Sequence, residues 1–98
     1  MRKLLLLSAT FLFFLPYCKH NDNKPRILVF SKTAGYRHAS ISNGKAAIQK
    51  LAQENNFQVD TTEDASYFTE DNLKKYAVII FLNTTGDVLN NAQEIAMI

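Results

Sequence analysis

Arg26-Ile27-Leu28-Val29-Phe30-Ser31, followed by Lys32-Thr33-Ala34-Gly35-Tyr36-Arg37-His38-Ala39-Ser40 and then Ile41, is the stretch whose change of pattern decides the fold. Its first six residues follow Pro25 and are almost continuously apolar, β-branched or aromatic, which fits a short strand covered on both faces. Beyond the polar loop, Ile41, Gly44, Ile48, Leu51 and Ala52 return at helical spacing through Asn55, with Ser40 or Ser42 placed to cap the helix. Gly44 on the apolar side of that helix permits close packing.

The alternation continues downstream. Phe57-Gln58-Val59-Asp60-Thr61 alternates and reads as a second, more peripheral strand. Thr69 precedes Glu70 and Asp71, so a capping hydroxyl and two first-turn carboxylates mark the start of a short helix, which ends near Lys74-Lys75. The run Tyr76 to Leu82 is the longest apolar stretch after the leader and is expected to be a central, buried strand. Asn90 and Gln93 have capping-box spacing and open a last helix that runs to Ile98. Strand and helix in strict alternation imply an α/β fold with a parallel sheet. The last helix is still apolar at Ile95, Met97 and Ile98, with no turn residue after it. A buried strand also needs neighbours on both edges. The expectation is therefore an incomplete sheet of three strands and about three helices, the N-terminal part of a larger domain spanning residues 26–98.

Working back from the first strand, Lys19-His20-Asn21-Asp22-Asn23-Lys24-Pro25 is polar and aperiodic and reads as a tether, which gives His20 no metal-binding role. Before it, Arg2-Lys3 and the apolar run Leu4 to Leu15 form a secretion signal over residues 1–17, too short to be a comfortable permanent span. Leu15-Pro16-Tyr17-Cys18 resembles a lipoprotein processing site, in which the Cys18 thiol receives a lipid. Tyr17 is larger than the small residue usual before such a cysteine. These features imply an exported, membrane-anchored lipoprotein facing the periplasm or the cell exterior, with residues 18–25 as anchor and tether. The 98-residue chain carries 11 Lys and Arg against 9 Asp and Glu, and setting aside Arg2 and Lys3 leaves the remainder balanced. Such a balance, with Lys74-Lys75 as the only adjacent basic pair after the leader, argues against nucleic acid as a partner. Cys18 is the single cysteine, so no intrachain disulfide and no cysteine-rich metal site can form.

The segment from Ser31 to Ile41, with its Gly35-Tyr36-Arg37-His38 core followed by Ser40-Ile41, resembles the signature of the ThuA-like, or trehalose-utilisation, family. Phe81-Leu82-Asn83-Thr84-Thr85-Gly86-Asp87-Val88-Leu89-Asn90 is a second similar segment, and Glu63-Asp64 a third. Together they cover nearly everything from Arg26 to Ile98. The resemblance implies a three-layer parallel-sheet domain, flavodoxin-like and similar to class I glutamine amidotransferases, of which this chain would hold less than half. It also implies an envelope protein of carbohydrate utilisation, with a trehalose-type or oxidised sugar as small-molecule partner.

In an open parallel sheet, ligands bind outside the carboxyl ends of the strands where the strand order reverses. A 2-1-3 order would bring the loop carrying Lys32, Gly35, Tyr36, Arg37 and His38 beside the loop carrying Thr84, Thr85, Gly86 and Asp87. That constellation offers cations, an imidazole, hydroxyls and a carboxylate, suited to polyhydroxylated or anionic ligands and to proton transfer near neutral pH. His38 and Asp87 are the catalytic candidates and the other seven residues the ligand-binding ones. Each has a plainer reading as well. His38 can satisfy backbone groups at the helix start, Arg37 can form a surface ion pair, Gly35 can supply a positive φ, and Gly86-Asp87 is an ordinary turn pair. Ser40 reads as a helix cap.

Amidotransfer requires a cysteine nucleophile at a strand-to-helix elbow, and Cys18 in the leader cannot serve. A Gly-x-Ser-x-Gly elbow, a dinucleotide loop, a Walker loop and a His-Glu-x-x-His helix are all missing, and no cofactor is identified. Three functions stand open: an enzyme of sugar metabolism, a non-catalytic binding module using the same cleft, and an inactive remnant.

Overall fold

The structure, a computed structural model, describes residues 23–98; the leader, Cys18 and His20 lie outside the described residues. The strands β1 (Arg26–Phe30), β2 (Gln58–Thr62) and β3 (Val78–Phe81) form one parallel sheet in the order β2-β1-β3. The helices are α1 (Ile41–Asn55), α2 (Glu70–Leu73) and α3 (Asn91–Ile95), with one 3-10 turn at Ala65–Tyr67 between β2 and α2. The chain is thus α/β, with three parallel strands and three α-helices.

β1 takes the centre, paired with β2 along one edge and with β3 along the other. Leu28, Val29 and Phe30 have no exposure to solvent. Its partners stand in register, Leu28 opposite Asp60 and Ile79, Phe30 opposite Thr62 and Phe81. Side chains alternate between the faces of a strand. Leu28 and Phe30 accordingly share one face with Ala65, Phe68, Leu73 and Leu89, which the 3-10 turn, α2 and the approach to α3 lay over the sheet. The Phe30 ring meets Phe68 edge-on at 4.6 Å between centroids and Phe81 at 5.6 Å. Burying a side chain of this size is worth about 1.5–3 kcal/mol. Val29 projects to the other face, which α1 covers with Ile41 and Ala52 buried. There Gly44 does admit a close approach, since a Cβ at that position would stand 3.0 Å from the Leu82 side chain.

Polar groups end the helices as the sequence suggests. Thr69 accepts the Asn72 amide, and Asn90 with Gln93 forms a complete capping box. Asn56 closes α1 in the left-handed conformation at φ 59°.

Several expectations change. β3 is an edge strand rather than a central one, with Val78 48% and Phe81 43% exposed, because no strand among the described residues pairs with its outer side. It is also shorter than the apolar run, since Tyr76 lies before it and turns its hydroxyl to polar partners. Leu51 is half exposed, so the buried stripe of α1 is narrower than the apolar spacing. The 3-10 turn was not anticipated; Asp64 builds it by accepting the Ser66 amide at 2.9 Å and its hydroxyl at 2.7 Å.

The Tyr76 hydroxyl donates to Asp60 Oδ2 at 2.6 Å, and the Tyr67 hydroxyl, 2.8 Å away, must then donate to Tyr76. Burial, the bond to Asp60 and the bond to Tyr67 push the Tyr76 phenol well above its ordinary value. This relay ties β2 to the start of β3 beneath the apolar face. Tyr76→Phe removes the donor and leaves Asp60 underpaired, at an expected cost of about 1–2 kcal/mol in a denaturant melt. A change near zero would show that water replaces the phenol freely.

Candidate functional site

Pairing between β1 and β3 does not stop where the strands end. Leu82 N–H donates to Phe30 O at 2.8 Å, an isolated parallel bridge joins Thr33 to Thr85, and Ala34 N–H donates to Thr85 O at 2.8 Å. The Thr85 hydroxyl then donates to Tyr36 O at 2.7 Å. The loops after β1 and β3 therefore converge at the carboxyl end of the sheet, where the order β2-β1-β3 sends successive chains to opposite faces.

Gly86 permits the approach. Its φ is 75°, and a Cβ there would lie 3.1 Å from the Ala34 Cβ. Gly35 does not take the positive φ expected of it, and a Cβ at that position would meet only Thr85 Oγ1, at 3.7 Å. The left-handed turn belongs to the β3 loop instead, where the chain must pass under Ala34.

His38 and Tyr36 are exposed on this rim, with Tyr36 74% exposed and the two rings edge to face at 6.3 Å. The His38 Nδ1 accepts the Ser40 backbone N–H at 3.1 Å and lies 2.7 Å from Ser40 Oγ. Asn83 Nδ2 donates to Ser40 Oγ at 2.7 Å. Ser40 does occupy the cap position of α1, but its hydroxyl makes no capping bond, because it is engaged by His38 and Asn83. Asn83 carries a positive φ of 48°. Neither Asn83 nor the bridging role of Ser40 was foreseen; an Asn directly after an apolar strand, a residue type that tolerates the left-handed region, was the only available hint.

Arg37 turns away from this cluster and pairs with Glu63, which also has Lys45 at 3.7 Å. Hydrogen bonds from Ser66 hold the Asp64 carboxyl below its ordinary value, with a lesser influence from Lys32. The Thr84 hydroxyl has no hydrogen-bond partner among the described residues. Asp87 is exposed, makes no hydrogen bond or ion pair among them, and so has no direct link to His38. Beneath the cleft, Ser31 is fully buried with its hydroxyl unpartnered among the described residues. No cluster of three or more His, Cys, Asp or Glu side chains among the described residues could hold a metal ion.

A broad concavity lies elsewhere, along β3 between α2 and α3, walled by Phe68, Leu73, Ile79, Phe81 and Ile95. It is open because the outer side of β3 has no strand neighbour among the described residues. Its walls hold none of the loop residues Tyr36, His38, Thr84, Thr85 and Asp87.

The model of the ThuA family, described as trehalose utilisation, matches residues 26–98. No curated protein and no solved structure gives a significant match.

The hydrogen bond from Arg37, aided by the charge of Lys45, holds the Glu63 carboxyl below its ordinary value of 4.5. A carboxyl whose folded value is depressed contributes stability above its unfolded value and loses it as pH falls through the folded one. Acidification below about 4.5 is therefore expected to remove a contribution that, at this exposure, is under about 1 kcal/mol. Arg37→Ala should flatten that acid limb in melts taken as a function of pH. An unchanged limb would show that the pair does not couple to folding.

Proposed function

The chain belongs to the ThuA trehalose-utilisation family, and from that premise we propose that it binds a sugar, trehalose-type or oxidised, in the cleft between the loops after β1 and β3. The observation that carries this reading is the convergence of Tyr36, His38 and Thr85 at the carboxyl end of the sheet, joined by the Thr33–Thr85 bridge. A sugar ring has an apolar C–H face and a polar hydroxyl rim. The exposed Tyr36 ring offers a flat surface to the first, with a polar tip of its own. His38 and the free Thr84 hydroxyl offer hydrogen bonds to the second, and Asp87 stands unpaired on the same loop as Thr84.

In the enzymatic form of this reading, His38 moves a proton to or from a ligand oxygen, the role for which an imidazole is suited near neutral pH. The substrate hydroxyl or carbonyl would sit within hydrogen-bond reach of Nε2, and Asp87 would orient the sugar. A second reading, binding without turnover, is favoured by one feature. No carboxylate among the described residues is paired with the imidazole, and Arg37 is already paired with Glu63. The signal segment and Cys18 support an exported protein held at the membrane by lipid, with residues 18–25 as its tether.

His38→Ala separates the two forms. For an enzyme, turnover of the sugar should fall by about a hundredfold or more, while binding measured by calorimetry changes far less. Binding retained with no turnover in either protein supports the binding module, and no sugar binding by the unaltered chain removes the cleft reading altogether. Cys18→Ser is expected to abolish incorporation of labelled fatty acid and to release the protein from the membrane fraction. Incorporation that persists would refute the anchor.

A further inference from the structure

We infer that Asn83 and Ser40 are positioning residues that hold His38 as its Nε2–H tautomer, so that the cleft faces its ligand with a hydrogen-bond donor. The inference rests on the cleft being the ligand site only for its consequence; the tautomer itself is a property of the chain.

The argument starts from a group whose role cannot change. A backbone N–H always donates, and that of Ser40 lies 3.1 Å from His38 Nδ1. Nδ1 must therefore present a lone pair. A neutral imidazole carries one proton, which then resides on Nε2. Ser40 Oγ, 2.7 Å from the same nitrogen, has to turn its hydrogen toward Nδ1, because two lone pairs would repel at that distance. Having spent its single proton, the hydroxyl can only accept from its other neighbour. Asn83 Nδ2, at 2.7 Å, is such a donor. Amide, hydroxyl and imidazole thus form a one-way chain across 43 residues of sequence, from the end of β3 to the start of α1.

The backbone of Asn83 adds a second observation. At φ 48° it sits in the left-handed region, which is unfavourable for most residues and which Asn tolerates best after Gly. Residues held in that region gather where the surrounding structure has a use for them. Here the conformation accompanies an amide placed under Ser40.

The consequence concerns ligand class. Nδ1 is turned inward to Ser40, and His38 is exposed, so Nε2–H points toward solvent at the cleft. The ligand atom facing it has to accept: a carbonyl or carboxylate oxygen of an oxidised sugar meets this requirement with every orientation of the group. A hydroxyl meets it only when its own hydrogen is turned elsewhere.

The test reads the ring nitrogens directly by 15N NMR on the full chain in mild detergent, without ligand, at a pH where the ring is neutral, using His20→Asn to remove the other histidine. The expected spectrum has Nδ1 in the unprotonated range and Nε2 in the protonated range, with that tautomer in at least tenfold excess. Asn83→Gly tolerates the positive φ and deletes only the amide, and is expected to lower the excess at least threefold. Asn83→Asp replaces the donor by an acceptor, draws the Ser40 proton away, and should shift the ring toward Nδ1–H. A wild-type ring in the Nδ1–H form overturns the inference, as does an unchanged ratio in folded Asn83→Gly. Failure of a sugar to bind would leave the expected spectrum intact and count only against the ligand reading.

Discussion

A parallel strand enclosed on both faces and hydrogen-bonded along both edges has no freedom to slip. Moving β1 by one residue would exchange its faces, taking Phe30 from Phe68 and Phe81 and driving Val29 into the space it left. Because β2 and β3 both run parallel to β1, all three carboxyl ends emerge together. The loop leaving β1 and the loop leaving β3 are thereby brought side by side before any residue within them is considered. What the loops add is the fine adjustment: the Thr33–Thr85 bridge prolongs the ladder, and Gly86 lets the chain pass close under Ala34.

The parts of this arrangement that could be read from sequence are those governed by neighbours along the chain. β1 announced itself by an unbroken apolar run, α1 by its spacing, and α2 and α3 by Thr69 and Asn90. The parts that could not be read depend on partners far away. Tyr76 counted as apolar and lengthened the expected third strand, yet its hydroxyl is committed to Asp60, 16 residues back. Ser40 has the composition of a cap, but a histidine two residues earlier accepts its own amide, and an asparagine on another loop takes its hydroxyl. Gly35 and Gly86 both qualified for a left-handed turn, and only the crossing of the two loops decides that Gly86 makes it. Arg37 looked equally suited to a ligand and to an ion pair until Glu63 was placed beside it.

Charge at the carboxyl end of the sheet is divided rather than pooled. Glu63 gathers Arg37 and Lys45, while Asp64, its carboxyl held below the usual range by Ser66 and Lys32, shapes the turn after β2. The His38 imidazole, the Tyr36 ring, the Thr84 hydroxyl and Asp87, shared between the loops after β1 and β3, take no part in those ion pairs. Ion pairing at this end of the sheet is therefore concentrated on Glu63, and the hydrogen bonds of the two loops are a separate network.

The contact between Gly44 and Leu82 carries this division further. Leu82 immediately precedes Asn83, and the helix leans on it with no side chain of its own at that point. A methyl group added to position 44 would press on Leu82, the residue before Asn83 in the chain. Packing of α1 against the sheet is thus linked along the chain to the backbone that carries Asn83, and a change at this helix position would be passed on to the Asn83, Ser40 and His38 hydrogen bonds.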